Sequence, residues 1–177
     1  RPGPGVALRL VDDEGVDVGD GPGEVAVRAA QVMAGYLDDE AANAATIVDG
    51  WMRTGDVGRL DADGYLYLID RKKDIIISGG ENIASREVED ALRAHPGVAD
   101  VAVIGLPDDR WGEIVCAVVV PADPALTKDE LLEFGRQRIG GYKKPRRVEL
   151  VESLPRTASG KVTKPQLRDR FSCATDG

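Results

Sequence analysis

Histidine and cysteine are scarce in this chain of 177 residues, with one of the first and two of the second. A lone His95 with no neighbouring ligand cluster argues against a metal catalyst and against a Ser-His-Asp triad. It precedes Pro96-Gly97, where a helix should stop, so it is expected at a helix C-terminus. Cys116 and Cys173 cannot by themselves make a disulfide framework or a zinc site. Cys116 falls in an apolar run and is expected in the core, whereas Cys173 falls in a polar tail and is expected to be inert. Aromatic residues are few, and Tyr142 is the only one between positions 136 and 170. That leaves no stacking platform for a nucleic acid. No apolar run approaches the roughly 20 residues that span a bilayer. There is no initiator methionine: the chain opens Arg1-Pro2-Gly3-Pro4-Gly5, a loop. It is therefore expected to be the tail of a longer protein, with any targeting signal out of view.

What is present is an apolar share of 42%, enough for a globular core, and a net charge of −8 that is unevenly spread. Residues 1–70 carry 5 basic and 14 acidic side chains, while residues 136–170 carry 11 basic and 3 acidic. The basic end suits phosphates, of a nucleotide or coenzyme rather than of nucleic acid.

Residues 1–70 read as β-rich. Val6–Val11 and Glu24–Ala29 are short strand-like runs, Asp38–Ala45 is a short helix, and Val57–Leu60 with Tyr65–Ile69 forms a hairpin across Asp63-Gly64. Five consecutive charges, Asp70-Arg71-Lys72-Lys73-Asp74, mark a boundary or a solvated linker. Beyond it the pattern becomes α+β, a compact domain over residues 75–171 with a central, mostly antiparallel sheet and about three helices. Ile75–Ser78 is a strand ending at a Gly79-Gly80 turn. Ser85 opens a helix that runs to Arg93. Val98–Leu106 and Ile114–Pro121 are buried strands. Thr127-Lys128-Asp129-Glu130 opens a second helix that Gly140-Gly141 should end. Arg147–Val151 is a last strand, and Thr163–Phe171 a last helix with Pro165 in its first turn. Residues 172–177 are a tail.

Four stretches and two single residues, Arg71 and Trp111, carry candidate chemistry. Arg53-Thr54-Gly55-Asp56 reads as a turn whose carboxylate could accept vicinal hydroxyls, or simply cap the turn. Arg71 offers a fork for ribose or phosphate oxygens. Ser78-Gly79-Gly80-Glu81 lets backbone lie against a narrow ligand. Trp111, in a polar loop, and Tyr142-Lys143-Lys144 could stack a base and hold a phosphate, or pack on the domain surface. Pro155-Arg156-Thr157-Ala158-Ser159-Gly160-Lys161 reads as a flexible, exposed loop tipped with one ammonium.

Taken together and in this order, Thr54-Gly55-Asp56, Arg71, the Ile76–Ile83 segment and Pro155–Lys161 resemble the adenylate-forming superfamily of acyl-CoA synthetases, peptide-synthetase adenylation domains and luciferases. The resemblance runs from about Gly23 to Phe171. It implies that residues 1–70 close a large adenylating domain, that 71–74 are a hinge with Lys73 as the pivot, and that 75–171 are a small mobile domain. It implies ATP and a carboxylic acid as substrates, with coenzyme A (CoA) as thiol acceptor, in a cytoplasmic enzyme whose parent could associate peripherally with a membrane. Asp56 and Arg71 inherit contacts to ATP or AMP. Lys161 inherits the catalytic contact to the acid carboxylate and the α-phosphate. Ser78, Gly79, Gly80, Glu81, Trp111, Tyr142 and Lys144 inherit contacts to CoA and its pantetheine arm. The phosphate loop, the magnesium ligands and the acyl pocket have no counterpart here and are expected upstream, in the missing large domain, so the 177 residues alone are expected to be inactive. The glycine segment leans towards a medium- or long-chain fatty acid. Alternatives are a peptide-synthetase adenylation domain that loads a carrier protein and a non-catalytic CoA-binding module.

Overall fold

The computed structural model describes residues 1–172; Cys173, and with it most of the expected tail, lies outside the described residues. The chain divides into two compact units, the first Arg1–Lys73 and the second beginning at Asp74. Among the described residues no helix is long and apolar enough to cross a membrane.

The first unit is an antiparallel sheet with one short helix. Its elements are β1 (Ala7–Val11), β2 (Gly23–Arg28), α1 (Glu40–Thr46), β3 (Ile47–Val48), β4 (Trp51–Leu60) and β5 (Leu66–Arg71). The ten-residue β4 pairs with β2, β3 and β5 and is the spine of the sheet. The expected hairpin is present across Asp61–Gly64, where the Asp61 carboxylate accepts the Asp63 and Tyr65 N–H groups at 3.0 and 2.9 Å. Its first strand is longer than the apolar pattern suggests. Arg53 to Asp56 lie inside β4 rather than in a turn, and Arg71 ends β5 rather than opening a linker. The reason is local. Ala26 faces Arg53 and Glu24 faces Val57, so Thr54, Gly55 and Asp56 together oppose Val25 alone. This bulge takes Gly55 to φ 71°, a left-handed conformation that suits glycine.

The second unit is α+β. It comprises β6 (Ile75–Ser78), β7 (Glu81–Ala84), α2 (Ser85–Arg93), β8 (Val98–Asp108), β9 (Gly112–Pro121), α3 (Lys128–Arg138), β10 (Arg147–Leu150) and α4 (Lys164–Ser172). β9 pairs antiparallel with β8 and β6, and parallel with β10, for which α3 is the crossover. The continuous apolar runs of β8 and β9 follow from burial on both faces. Val101, Val103, Val115 and Val119 pack under α2 and α3, and Ala102, Ile104, Cys116 and Val118 pack under α4. Leu167 and Phe171 seal the second face. Each such side chain contributes about 1.5–3 kcal/mol by leaving water. Burial pushes the Cys116 thiol up to about 12, with smaller opposing effects of nearby charges, so it stays protonated.

Several helix ends differ from the sequence reading. Ser85 is the first helical residue and does not cap α2; Ala84 occupies the cap position, and the buried Ser85 hydroxyl accepts from Lys164 at 2.6 Å. Thr127 does cap α3, its hydroxyl accepting the Glu130 N–H at 3.2 Å. That helix ends because Ile139 turns extended and its N–H closes on the Gly135 carbonyl; Gly140-Gly141 only follow in the turn. Ser172 is helical, not tail. His95 sits just past α2, buried, with Nδ1 accepting the Gly97 N–H at 3.1 Å and its ring edge-on to Phe134.

Candidate functional site

In the first unit the two nucleotide candidates meet. Asp56 and Arg71 are directly opposed across β4 and β5, and Arg71 Nε contacts Asp56 Oδ1 at 2.9 Å. Asp56 is partly exposed and Arg71 about half so. The arrangement offers a carboxylate with a free oxygen beside a guanidinium on open ground, which can accept hydroxyls and hold an anion together.

Behind them lies a buried anion the motifs did not mark. The Glu24 carboxylate, only 7% exposed, accepts Arg53 Nε at 2.9 Å, the bulge N–H of Gly55 at 3.1 Å and Lys72 Nζ at 3.0 Å. Burial raises the Glu24 carboxyl, but the hydrogen bonds and charges of Lys72 and Arg53 outweigh it and hold it below the usual glutamate value. Lys72 also reaches Asp13. A glutamate beginning the apolar run Glu24–Val27 is the signal that could have found this group.

Lys72 to Asp74 form a single 3-10 turn. Lys72 is tied to Glu24 and Asp13 of the first unit, and the buried Asp74 accepts from Arg168 at 2.8 Å within the second. The charged run is therefore not a uniformly solvated linker. Its flanking members are pinned, and Lys73 is the one residue between them.

In the second unit the glycine turn and Trp111 come together. Gly79 and Gly80 both have positive φ, at 61° and 84°. The Gly79 N–H donates to the Trp111 carbonyl at 2.8 Å, and a Cβ at Gly79 would lie 2.9 Å from the indole edge. Ser78 is buried and Glu81 exposed. The Trp111 N–H donates to Asp108 at 2.9 Å, and the guanidinium carbons of Arg146 and Arg110 lie 4.1 and 5.0 Å from its ring centroid. Tyr142 is half exposed and makes no ring–ring contact with Trp111 among the described residues. The Lys143 ammonium lies 5.7 Å from the Tyr142 ring and is committed to Glu87 at 2.8 Å, which raises its pKa. Lys144 is half-buried. The structure thus groups Ser78, Gly79, Gly80 and Trp111, adds Arg146, which the motifs missed, and leaves Tyr142 apart from the indole.

Lys161 stands on a tight hairpin instead of a flexible loop. The Thr157 N–H donates to the Lys161 carbonyl at 2.8 Å, Gly160 N–H to Thr157 at 2.9 Å, and Thr163 N–H to Pro155 at 2.9 Å. Arg156 on one limb pairs with Asp100. On the other limb, Lys164 pairs with Glu89 at 2.7 Å, both nearly buried, while Glu89 also accepts the Val103 N–H at 2.9 Å. The Lys161 side chain itself is exposed, and its ammonium has no ion-pair partner among the described residues. A rigid stem therefore presents a cation that is uncommitted within the chain.

The exposed ammonium on its hairpin and the glycine turn beside the indole are thus two separate features of the second unit. Residues 87–161 match the AMP-binding enzyme C-terminal domain family. The feruloyl-CoA synthase of an Amycolatopsis species is 49% identical over 166 residues, 93% of this chain and 34% of its own. The long-chain-fatty-acid–CoA ligase of Salmonella typhimurium is 44% identical over 169 residues, 95% of this chain and 30% of its own. Among solved structures, the o-succinylbenzoate-CoA synthetase MenE of Bacillus subtilis with its acyl-adenylate intermediate superposes with a TM-score of 0.88 at 39% identity, covering 96% of this chain and 35% of that one. Over nearly its whole length the chain is thus similar to adenylate-forming enzymes, and residues 87–161 carry the match to their C-terminal domain. It spans about a third of the length of the curated relatives it matches.

Proposed function

We propose that this chain serves, in a polypeptide of its relatives' length, as the C-terminal part of an AMP-forming acid–CoA ligase. In the first step the acid carboxylate attacks the α-phosphorus of ATP, a P–O bond forms, and pyrophosphate leaves. Lys161 places positive charge where negative charge is redistributed. Asp56 takes the ribose hydroxyls and Arg71 an adjoining oxygen. In the second step the CoA thiol, losing its proton, attacks the acyl carbon and AMP leaves. The Gly79-Gly80 turn lines the path of the pantetheine arm, and Trp111, Tyr142 and Lys144 meet the nucleotide end. The observation that carries the reading is that Lys161 and the glycine turn belong to one compact unit yet to separate features of it. The unit must then turn between steps, with Lys73 as the pivot. The pinning of Lys72 to one unit and Asp74 to the other supports that assignment.

No group of three or more His, Cys, Asp or Glu side chains converges as a metal site among the described residues. They offer no all-protein cage for a divalent cation.

For the acid we propose a medium- or long-chain fatty acid, in line with the glycine segment and the Salmonella typhimurium relative. The higher identity to a feruloyl-CoA synthase favours an aryl acid as the second reading. Pyrophosphate release by the longer enzyme, assayed with palmitate and with ferulate in parallel, distinguishes them; faster turnover of ferulate would overturn the first choice. The 177 residues alone are expected to form no thioester from either acid with ATP and CoA. Thioester formation by this purified chain, or tight binding of CoA to it without catalysis by the longer enzyme, would contradict the proposal, the second result favouring a binding module.

A further inference from the structure

The glycine turn has weak support from its own sheet. β6 meets β9 through one Cα pair, Ser78 with Gly112. Two backbone donors of this edge are nevertheless satisfied. Gly79 N–H donates to the Trp111 carbonyl at 2.8 Å, and Ile77 N–H donates to Oε2 of Glu113, also at 2.8 Å. The Glu113 side chain thus stands where a strand carbonyl would.

That carboxylate lies over Gly105 of β8. A Cβ added at Gly105 would fall 2.6 Å from Glu113 Oε1 and 2.8 Å from its Cδ. Real Cβ atoms do not approach so closely, so any side chain at 105 displaces the carboxylate. Gly105 is not among the residues with positive φ, unlike Gly79, Gly80 and Gly112. Space, not conformation, is what glycine supplies at 105. A Cβ added at Gly79 would likewise fall close to the Trp111 ring, 2.9 Å from its edge. The turn is gripped by a carboxylate at Ile77 and by an indole at Gly79.

We propose that Glu113, seated on Gly105, is a positioning residue that sets the Gly79-Gly80 turn, and hence the opening through which the thiol arm passes. The inference rests on the reading of that turn as the pantetheine channel. Glu113 touches no substrate; it acts through the Ile77 amide.

The test uses the full-length ligase and compares the KM for CoA with acyl-adenylate formation assayed in the absence of CoA. Glu113→Ala is expected to raise the KM for CoA about 10- to 100-fold, the ratio that follows from losing one charge-assisted hydrogen bond. Glu113→Gln keeps an acceptor for the Ile77 amide and is expected to recover most of that loss. Gly105→Ala is expected to mimic Glu113→Ala, and to add little in the Glu113→Ala background, because both act on one contact. Hydrogen exchange of the 75–80 segment should rise in Glu113→Ala and Gly105→Ala alike, a readout independent of turnover. A normal KM for CoA in Glu113→Ala, with Trp111→Ala impaired, would overturn the inference and leave the channel reading standing. Normal values in both would overturn the channel reading itself. Glu113→Gln as impaired as Glu113→Ala, or a Gly105→Ala effect fully additive to it, would also overturn the inference.

Discussion

Lys161→Ala in the longer enzyme should lower acyl-adenylate formation about 10²–10³-fold, the loss that follows removal of one well-placed donor to developing negative charge. ATP–pyrophosphate exchange measures it. The size of the effect follows from the stem. A cation on a mobile loop would lose much of its worth to ordering, but here Thr157, Gly160 and Thr163 close the hairpin with backbone bonds, and Arg156–Asp100 and Lys164–Glu89 hold its limbs. Lys161→Arg keeps the charge on a broader, planar head and is expected to recover only part of the rate. Exchange at wild-type rate in Lys161→Ala would remove Lys161 from the mechanism.

Glu24→Ala should destabilise the first unit by about 1–3 kcal/mol, by removing the buried carboxylate on which the partly buried Arg53, the more exposed Lys72 and the Gly55 N–H converge. Arg53 is 17% exposed and would keep its contacts to the Asp12 and Asp13 carbonyls, while Lys72 would keep Asp13. Neither replaces the buried carboxylate. Because the folded Glu24 carboxyl lies below its usual 4.5, its stabilisation is fully present above that pH. It is lost as pH falls through the folded value, where the native state must take up a proton. The stability gap between wild type and Glu24→Gln in denaturant titrations should therefore be constant from pH 7 to 5 and close as pH drops below 4.5. A gap that widens on acidification would reverse the assignment. The same ion pairs hold Lys72 to the first unit, so Glu24→Gln also loosens one side of the proposed pivot.

The sequence disclosed elements where period and length agree. The continuous apolar runs of β8 and β9 require a sheet buried on both faces, and the Thr127 cap and the Leu167/Phe171 pair are where the pattern puts them. It misled where a strand is interrupted by polar residues and glycine. Arg53–Asp56 reads as a turn because a bulge inserts small and polar residues into β4, and a bulge has no periodicity of its own. The proline, serine and glycine of Pro155–Lys161 read as slack because composition does not report the hydrogen bonds that close a hairpin. Candidate residues were legible where they share a short segment, as Gly79 and Gly80 do. Their supports were not. Glu24 and Lys72 are 48 residues apart, Ile77 and Glu113 are 36, and Lys164 and Ser85 are 79. Only the folded chain brings such groups within bonding distance, and a lone glutamate or glycine between apolar residues carries no mark of its partner.

The most direct test of the account is a crossover of half-reactions in the full-length ligase. Acyl-adenylate formation from acid and ATP, and thioester formation from synthetic acyl-adenylate and CoA, would be measured separately for Lys161→Ala and Trp111→Ala. The account predicts opposite patterns: Lys161→Ala loses the first and largely keeps the second, and Trp111→Ala loses the second, through a raised KM for CoA, and largely keeps the first. Parallel loss of both half-reactions in both variants would contradict it, since one unit would then be serving a single arrangement and not two.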